Sequence, residues 1–315
     1  MTQRKQDILD LAHDLPLGLA LSCWRGLRML HPSEWEPGRL SGPDEPNLCI
    51  FVDRRYQRLQ VQWESLSRPP DLERMYDELR TVQKHPAGPL RGVPGWRGLR
   101  RQEPEGVVVH AGRFFPDRRT FVQAVVVWPD GRDRDLERQV LCGISPAPPG
   151  ELELWQALGL SALVPSDLAL TGAESPVGRV SWRFRRRRDR LELLVERLAL
   201  AGGWLKGDLE GYLAAQQPEG CKIREKAQPF LPGHEVLSSV SRPFEPLHRA
   251  VRLGLHRRDL AWVCPAQQRL YHVACWQRGA RAPAMPENLA VRCCRTVEPG
   301  RLAADAACLA AEAGA

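Results

Sequence analysis

Cysteine and histidine side chains in the last part of the chain are the residue types best suited to hold a metal ion. Thiolates and imidazoles are ligands of zinc, and four of them complete a tetrahedral site. The spacing argues against such a site, because structural zinc sites usually present a close pair such as Cys-x-x-Cys, and this set has none. The set consists of Cys264, His272, Cys275, Cys293 and Cys294.

Strand geometry separates the members of this set further. If "PAQQ" (265–268) is the turn of a hairpin, Cys264 pairs with Arg269, and Cys275 lies six residues further along the strand. At about 3.3 Å per residue, Cys275 is then about 20 Å away. His272 and Cys275 differ by three positions and therefore face opposite sides of a strand. We predict buried free thiols here, with no metal and no bound cofactor.

No other group of residues has a catalytic pattern. A nucleophilic cysteine needs a neighbouring base, and no adjacent histidine recommends Cys23 or Cys142. The acids of "WPDGRDRD" (128–135) alternate with arginines that oppose a cation, so we interpret them as turn and helix-capping residues. The phosphate-loop, dinucleotide, zinc-protease and serine-hydrolase motifs are absent. We predict no catalytic residues.

Four consecutive arginines in "SWRFRRRRDRLELLVERL" (181–198) stand between two apolar stretches. Charge at a hairpin tip discourages edge-to-edge pairing of strands, and it also suits contact with an acidic partner or with phosphate. Exposed tryptophan beside arginine is typical of an interaction hot spot. The predicted partner-binding residues are Arg54, Arg55, Arg185, Arg186, Arg187, Arg188, Trp96 and Trp204.

Composition bounds the class of protein. The chain has 315 residues, of which 43% are hydrophobic and 26% charged, as expected of a globular protein. The net charge of +7 favours an acidic partner only weakly, because 38 acidic residues are interspersed with the basic ones. Nine cysteines without a regular framework indicate reduced thiols and a cytoplasmic protein. No apolar run reaches the ~20 residues that span a bilayer, so we predict no membrane insertion.

Two segments of the chain repeat one another at a spacing of 131 to 133 residues. Trp24 corresponds to Trp155, and the arginine pair at 54–55 corresponds to the pair at 186–187. Each copy predicts a β-hairpin with an arginine tip, followed by a helix, at 71–84 in the first copy and at 204–217 in the second.

The pattern of apolar residues also predicts which strand faces are buried. In the first copy, Leu48, Ile50 and Val52 are expected to share one apolar face, although Cys49 and Phe51 make the opposite face apolar too. The residues expected to alternate inward in the other strands are Leu59, Val61, Trp63, Val180, Trp182, Phe184, Leu191, Leu193 and Val195.

The remaining segments complete the predicted secondary structure. Further strands are expected at 106–112, 120–128, 234–242 and 290–294, a hairpin at 260–276, and helices at 133–142 and 246–255. Together these elements predict an α+β fold of two tandem related units, each an antiparallel β-sheet with helices packed on it. The predicted boundaries are an N-terminal segment (1–16), a first unit (17–145), a linker (146–151), a second unit (152–300) and an alanine-rich tail (301–315).

A Pro-x-x-Trp motif, "PSEW" (32–35), precedes a hairpin and a helix that begins with an acidic turn. Over residues 20–145 this order resembles the PsbP-like family, whose units pair an antiparallel sheet with flanking helices. The second copy has Leu168 where the motif has tryptophan. The resemblance implies the same architecture and a role in partner binding or assembly.

We therefore predict a cytoplasmic, non-catalytic adaptor, chaperone or assembly subunit that binds a protein partner. The alternative is a nucleic-acid-binding protein that contacts phosphates through the same arginine clusters. A third class is an enzyme with its site in a cleft between the two units.

Overall fold

The protein is described by a computed structural model, in which the chain divides into two compact units. The N-terminal unit comprises Asp10–Pro149 and Trp155–Leu158, and the C-terminal unit comprises Met1–Leu9, Gly150–Leu154 and Gly159–Ala315. The residues that the structure describes are Leu9, 15–82, 87–205, 207–219, 221–243, 254–279 and 281–305.

The N-terminal unit is built mainly from antiparallel strands. They are β1 (Leu19–Trp24), β2 (Leu27–Pro32), β3 (Glu36–Leu40), β4 (Asn47–Val52), β5 (Gln57–Ser65), β6 (Ala87–Pro89), β7 (Arg97–Glu103), β8 (Gly106–Phe115), β9 (Thr120–Trp128) and β10 (Ile144–Pro146). The helices are α1 (Leu72–Val82) and α2 (Arg134–Cys142), with a 3-10 turn at Pro116–Arg118. Strands β3 to β9 form a seven-stranded sheet, and β2 pairs with both β1 and β10.

The second half of the chain begins with β11 (Leu152–Ala157) and follows the same plan. Its further strands are β12 (Leu160–Pro165), β13 (Leu168–Glu174), β14 (Arg179–Arg186), β15 (Glu192–Ala199), β16 (Cys221–Ala227), β17 (Glu235–Pro243), β18 (Leu255–Cys264), β19 (Arg269–Arg278), β20 (Ala290–Arg292) and β21 (Thr296–Val297). The helices are α3 (Ala201–Trp204) and α4 (Leu209–Ala215). Strands β13 to β19 form a second seven-stranded sheet, and β12 pairs with β20.

The two sheets have the same strand order, which confirms the predicted repeat at the level of topology. The first sheet has the order β3-β4-β5-β9-β8-β7-β6, and the second has the order β13-β14-β15-β19-β18-β17-β16. In each sheet the first three strands form a meander, and a helical connection follows them. The next four strands form a second meander, and the seventh strand of the sheet pairs with the third. Both arginine clusters fall at the turn between the second and third strands of their sheet.

The prediction of an α+β fold is wrong, because the described residues form mostly β-structure. The helices are short, from 4 residues in α3 to 11 in α1. Polar segments such as β7 (RGLRRQE) and β16 (CKIREKA) lack a strong strand signal, yet both pair with a neighbouring strand. Tertiary pairing therefore determines their structure. Of the helix predicted at 246–255, residues 246–253 lie outside the described residues, and Leu255 begins β18.

The residues predicted to face inward are buried in three of the four hairpin strands, although Leu194 and Glu196 on the other face of β15 are buried too. All nine residues predicted to alternate inward there are buried. The exception is β4, where Cys49 and Phe51 are buried while Leu48 and Ile50 are only half-buried. Phe51 lies opposite Leu59, and directly opposite residues share a face of the sheet. The register with β5 therefore directs Cys49 and Phe51 into the core, in place of Leu48, Ile50 and Val52.

Several local predictions are confirmed. Helix α2 begins after Asp133, whose carboxylate accepts the backbone N–H groups of Asp135 and Leu136. The hairpin of β18 and β19 turns at 265–268, and Cys264 pairs with Arg269. Capping and turn residues act over a few positions, which is why the sequence indicates them well.

Candidate metal centre

Three turns of the C-terminal unit bring one histidine and three cysteines together. His234 directly precedes β17, Cys264 ends β18, and Cys293 and Cys294 lie in the turn between β20 and β21. One ligand atom from each of the four side chains lies within 4.8 Å of all the others. The group therefore combines residues that are as much as 60 positions apart in the chain.

A Pro-Gly turn holds His234 at the start of β17. The backbone N–H of His234 donates to the carbonyl of Leu231 at 3.0 Å and closes the turn. Gly233, at the third position, has φ +70°, a left-handed conformation that glycine adopts without a steric penalty. This turn places the imidazole in front of the strand rather than on one of its faces.

The hydrogen bonds of His234 orient the ring for metal binding. Its Nδ1 lies 3.0 Å from the carbonyl oxygen of Pro232, which only accepts, so Nδ1 carries the proton. In the neutral ring Nε2 then has the free lone pair, and it lies 3.5 Å from Cys293 Sγ and 3.3 Å from Cys294 Sγ. A backbone carbonyl bonded to the opposite ring nitrogen is the usual arrangement around a metal-binding histidine.

Cys264 is buried, and its sulfur accepts hydrogen bonds from the backbone. The turn that follows it is closed by the Gln267 N–H, which donates to the carbonyl of Cys264 at 3.3 Å. Burial alone would raise the pKa of the Cys264 thiol, but bonds from the backbone of Cys294 and Gln267 and from the other two cysteines lower it. Backbone N–H groups directed at a sulfur favour the thiolate, which is the form that binds metal.

Cys293 and Cys294 are adjacent in sequence but differ in their surroundings. Cys293 is buried, and Cys294 is exposed. Burial raises the pKa of the Cys293 thiol to about 12. A bound metal ion deprotonates a coordinating thiol. The ion would therefore stabilise the Cys293 thiolate, which burial disfavours.

The distances fit a tetrahedral zinc site. Bonds of about 2.3 Å to sulfur and about 2.0–2.1 Å to nitrogen place sulfur and nitrogen ligands about 3.6 Å apart around zinc. The two measured sulfur–nitrogen distances, 3.5 and 3.3 Å, lie close to that value. Three cysteines and one histidine form one of the ligand sets of structural zinc sites.

The sequence analysis predicted no metal site, whereas the structure brings three of its five candidate residues together with His234. Cys275 is fully buried opposite Leu193 and Arg258, and His272 is bonded to carboxylates, so neither joins the group. His234 is not among the candidate ligands that the sequence indicated, because it lies far from the three cysteines along the chain. The adjacent pair "CC" (293–294) and the Pro-Gly-His turn are the signals that could have indicated the site.

A second polar cluster lies inside the C-terminal unit. His272 Nε2 lies 2.9 Å from Asp259 Oδ1, and its Nδ1 lies 3.5 Å from Glu196 Oε1. The Tyr212 hydroxyl, on α4, donates to Glu196 Oε1 at 3.0 Å. The histidine and both carboxylates are at most 1% exposed. An acid–base pair enclosed in this way offers no access for a substrate.

Two arginines complete this cluster. Arg257 Nε donates to Asp259 Oδ1 at 2.8 Å, and Arg179 Nε donates to Glu196 Oε2 at 2.5 Å. Burial alone would raise the pKa of Glu196, but the bond from His272 and the charges of His272 and Arg179 lower it to about 2. The pKa of Asp259 is likewise lowered by His272 and Arg257 against the effect of burial. Both carboxylates are therefore ionised inside the unit.

The arginines of the first hairpin tip are exposed as predicted. Arg54 and Arg55 lie in the turn between β4 and β5. The Asp53 carboxylate accepts the backbone N–H of Arg55 at 2.7 Å and shapes this turn. Among the described residues, neither guanidinium forms an ion pair. Both side chains are exposed to solvent, and the charge of Arg55 also acts on the neighbouring Asp53 carboxylate.

The second tip is partly neutralised within the protein. Arg186 lies 2.9 Å and Arg188 lies 3.3 Å from Asp167, and Arg186 also lies 3.4 Å from Asp189. Arg185 and Arg187 are exposed, and in the described part of the chain they form no ion pair. The tip therefore carries less free charge than the sequence indicated.

The two candidate tryptophans differ in their exposure. Trp96 is only 2% exposed, so its prediction as a contact residue is corrected: the turn that begins at Val93 places the indole in the core. Trp204 is 38% exposed, although its Nε1 donates to the carbonyl of Ala199 at 2.9 Å. Of the two candidate tryptophans, Trp204 alone has a substantial solvent-exposed surface.

Comparisons with known proteins give no family assignment for this chain. No protein-family model matches the sequence, and no curated protein matches it. Among solved structures, the apo structure of the immunity protein TplEi of T6SS from Pseudomonas aeruginosa matches with a TM-score of 0.32 and 9% identity, over 80% of this chain and 90% of that chain. A score at this level supports no conclusion about function. The resemblance to the PsbP-like family stays a prediction.

No helix in the described parts of the chain combines the length and the apolar character that crossing a bilayer requires.

Proposed function

We propose that this protein is a non-catalytic, zinc-stabilised binding protein that contacts an acidic surface of a protein partner. One observation carries the metal part of this proposal: the ligand atoms of His234, Cys264, Cys293 and Cys294 lie within 4.8 Å of one another. Zinc is the metal that suits thiolates combined with imidazole in a tetrahedral arrangement.

The ligand set supports a structural role for the zinc ion. Catalytic zinc sites keep one position open for water or substrate, whereas four protein ligands fill the coordination sphere. Here the metal would tie the turn before β17 to the turns that follow β18 and β20. A closed site of this kind is consistent with a protein whose task is binding.

The exposed arginines support the binding part of the proposal. Arg54, Arg55 and Arg187 lie in turns at equivalent positions of the two sheets, and Arg185 lies in β14 just before the second of these turns. Charged groups that are free of internal partners steer an oppositely charged protein and orient it on contact. Trp204 adds partly exposed aromatic surface in the C-terminal unit. An adaptor, chaperone or assembly subunit would use such a surface.

We also propose a cytoplasmic location. Eight cysteines are free in the described part of the chain. Free thiols persist in reducing compartments, and disulfides are rare there.

Metal analysis of the purified full chain tests the zinc site. We expect one zinc ion per chain in the wild type and almost none in Cys264→Ser. Cys275→Ser is the matched control, because Cys275 lies in the same hairpin and is buried but is remote from the group. Equal zinc content in the two variants would contradict the site.

Partner capture from the native cells tests the binding surface. We expect Arg→Ser changes at 54, 55, 185 and 187 to release a protein partner while the zinc content stays unchanged. Retention of every partner by this variant would contradict the proposal. Nucleic-acid binding through the same residues would instead show affinity that falls by about 0.9 log units per log unit of salt for each phosphate neutralised on duplex DNA.

A further inference from the structure

Two arginines on neighbouring strands of the C-terminal sheet lie on the same face. Arg197 in β15 pairs with Tyr271, and Ala199 pairs with Arg269 at the start of β19. Arg197 and Arg269 are therefore diagonal neighbours, and side chains in this relationship are close enough to interact. Both arginines are half-buried.

The two guanidinium groups converge over Gly159, in the turn before β12. A Cβ atom on Gly159 would lie 2.8 Å from Arg197 Nη1 and 3.5 Å from Arg269 Nη1. Gly159 has φ +72° and is exposed to solvent. The absence of a side chain leaves room for the Arg197 guanidinium and leaves the pair accessible from water.

Among the described residues, no carboxylate forms an ion pair that balances the charges of these two arginines. The Nε of Arg197 is buried and has no hydrogen-bond partner there. Burial and the nearby charge of Arg269 together lower the pKa of Arg197. Desolvated like charges side by side are unfavourable unless an anion compensates them.

We propose that Arg197 and Arg269 form a binding site for a phosphate group above Gly159. Planar guanidinium groups present several N–H donors in a fork that matches the oxygens of a phosphate. The Tyr271 hydroxyl accepts a hydrogen bond from Arg269 and donates one to Gln267 Oε1 at 2.5 Å, which orients the Arg269 guanidinium. Gly159 has no side chain, so both guanidinium groups can lie beside its solvent-exposed backbone. This site is independent of the proposed zinc centre and of the hairpin tips.

A competing explanation is that the arginines balance the negative charge of a zinc–thiolate centre, because Arg269 pairs with Cys264 in the register. The two explanations predict different results. A counter-charge role requires that loss of the arginines reduces the zinc content without any effect on phosphate binding. A phosphate site requires that loss of the arginines weakens phosphate binding and leaves the zinc content unchanged.

Titration calorimetry with inorganic phosphate on the full chain tests the proposal, with chloride adjusted to keep the ionic strength constant. We expect Arg197→Gln and Arg269→Gln each to weaken phosphate binding at least tenfold while zinc content is retained. Arg68→Gln is the control, because it removes one exposed arginine of the other unit that belongs neither to this site nor to the hairpin tips. Unchanged phosphate affinity in both site variants, or equal loss in the control, would overturn the site.

Gly159→Ala provides a second variant that keeps both positive charges. The added methyl group would displace the Arg197 guanidinium, from which it would lie 2.8 Å away. We expect weaker phosphate binding in this variant, and full affinity would overturn the placement above Gly159. A parallel titration with O-phosphoserine identifies the source: tighter binding than inorganic phosphate indicates a monoester, and weaker binding indicates the free ion.

Discussion

His272 Nε2 and Asp259 Oδ1 are 2.9 Å apart in the interior of the C-terminal unit, and neither side chain is exposed to solvent. Burial alone would lower the pKa of His272, but hydrogen bonds to Asp259 and to Glu196 raise it above the ordinary value. The imidazolium is thus held between two ionised carboxylates. Breaking such a buried arrangement leaves an uncompensated charge, which is costly.

The stability of the C-terminal unit should depend on pH through His272. Because its folded pKa is raised, its contribution is full below the unfolded value of about 6.5 and is lost as pH rises through the folded pKa. We expect the difference in unfolding free energy between the wild type and His272→Gln to shrink from pH 6 to pH 9 in urea titrations. A difference that grows over this range would contradict the assignment.

Glu196 and Asp259 make the stability of the C-terminal unit depend on pH in the acid range as well. The pKa values of Glu196 and Asp259 are lowered, so their contribution is present above about pH 4 and is lost as pH falls through the folded values. The other groups that face His272 or its carboxylates are the Tyr212 hydroxyl and the guanidinium groups of Arg257 and Arg179.

Removal of one buried charge should be far more costly than removal of an exposed one. Asp259→Asn leaves Arg257 without its carboxylate and His272 with Glu196 alone, and we expect a loss of about 3–5 kcal/mol. Asp189→Asn removes the partner of Arg186 at a hairpin tip, where we expect a change of at most about 1 kcal/mol. Urea unfolding of both variants measures this contrast, and equal losses would argue against a buried ionic network.

Removal of zinc should lower the thermal stability of the wild type. A ligand present at a hundred times its dissociation constant stabilises the folded state by about 2.7 kcal/mol. We expect a strong chelator to lower the unfolding temperature of the wild type and of Cys275→Ser, and to leave Cys264→Ser unchanged. Calorimetric scans with and without chelator provide the measurement. A chelator effect that persists in Cys264→Ser would place the metal elsewhere.

Truncation of Trp96 and truncation of Trp204 should reduce the stability of the protein by very different amounts, although the sequence predicted the same contact role for both. Trp96 is buried, and we expect Trp96→Ala to cost about 3–5 kcal/mol because it leaves a large cavity. Trp204 is partly exposed, and we expect a smaller loss from Trp204→Ala, together with weaker partner binding. Chemical denaturation and partner capture on the same two proteins separate these effects. Similar stability losses would contradict the difference in burial.

Features that depend on a few neighbouring residues were predictable from the sequence. The alternation of Val180, Trp182 and Phe184, the cap at Asp133 and the turn at 265–268 all have the predicted structure. The repeat was also visible, because both copies keep the same order of strands and turns. Each of these signals arises from local backbone preference or from the two-residue period of a strand.

Features that depend on pairing between distant segments required the tertiary structure. The sequence indicated that Cys264 ends a strand, and it shows that Cys293 and Cys294 are adjacent. It gave no indication that His234 lies beside these cysteines. Strand register also chose the Phe51 face of β4, and the packing of the N-terminal unit buried Trp96. Convergence of side chains from separate turns is decided by sheet topology, because the spacing of residues along the chain does not specify which turns meet.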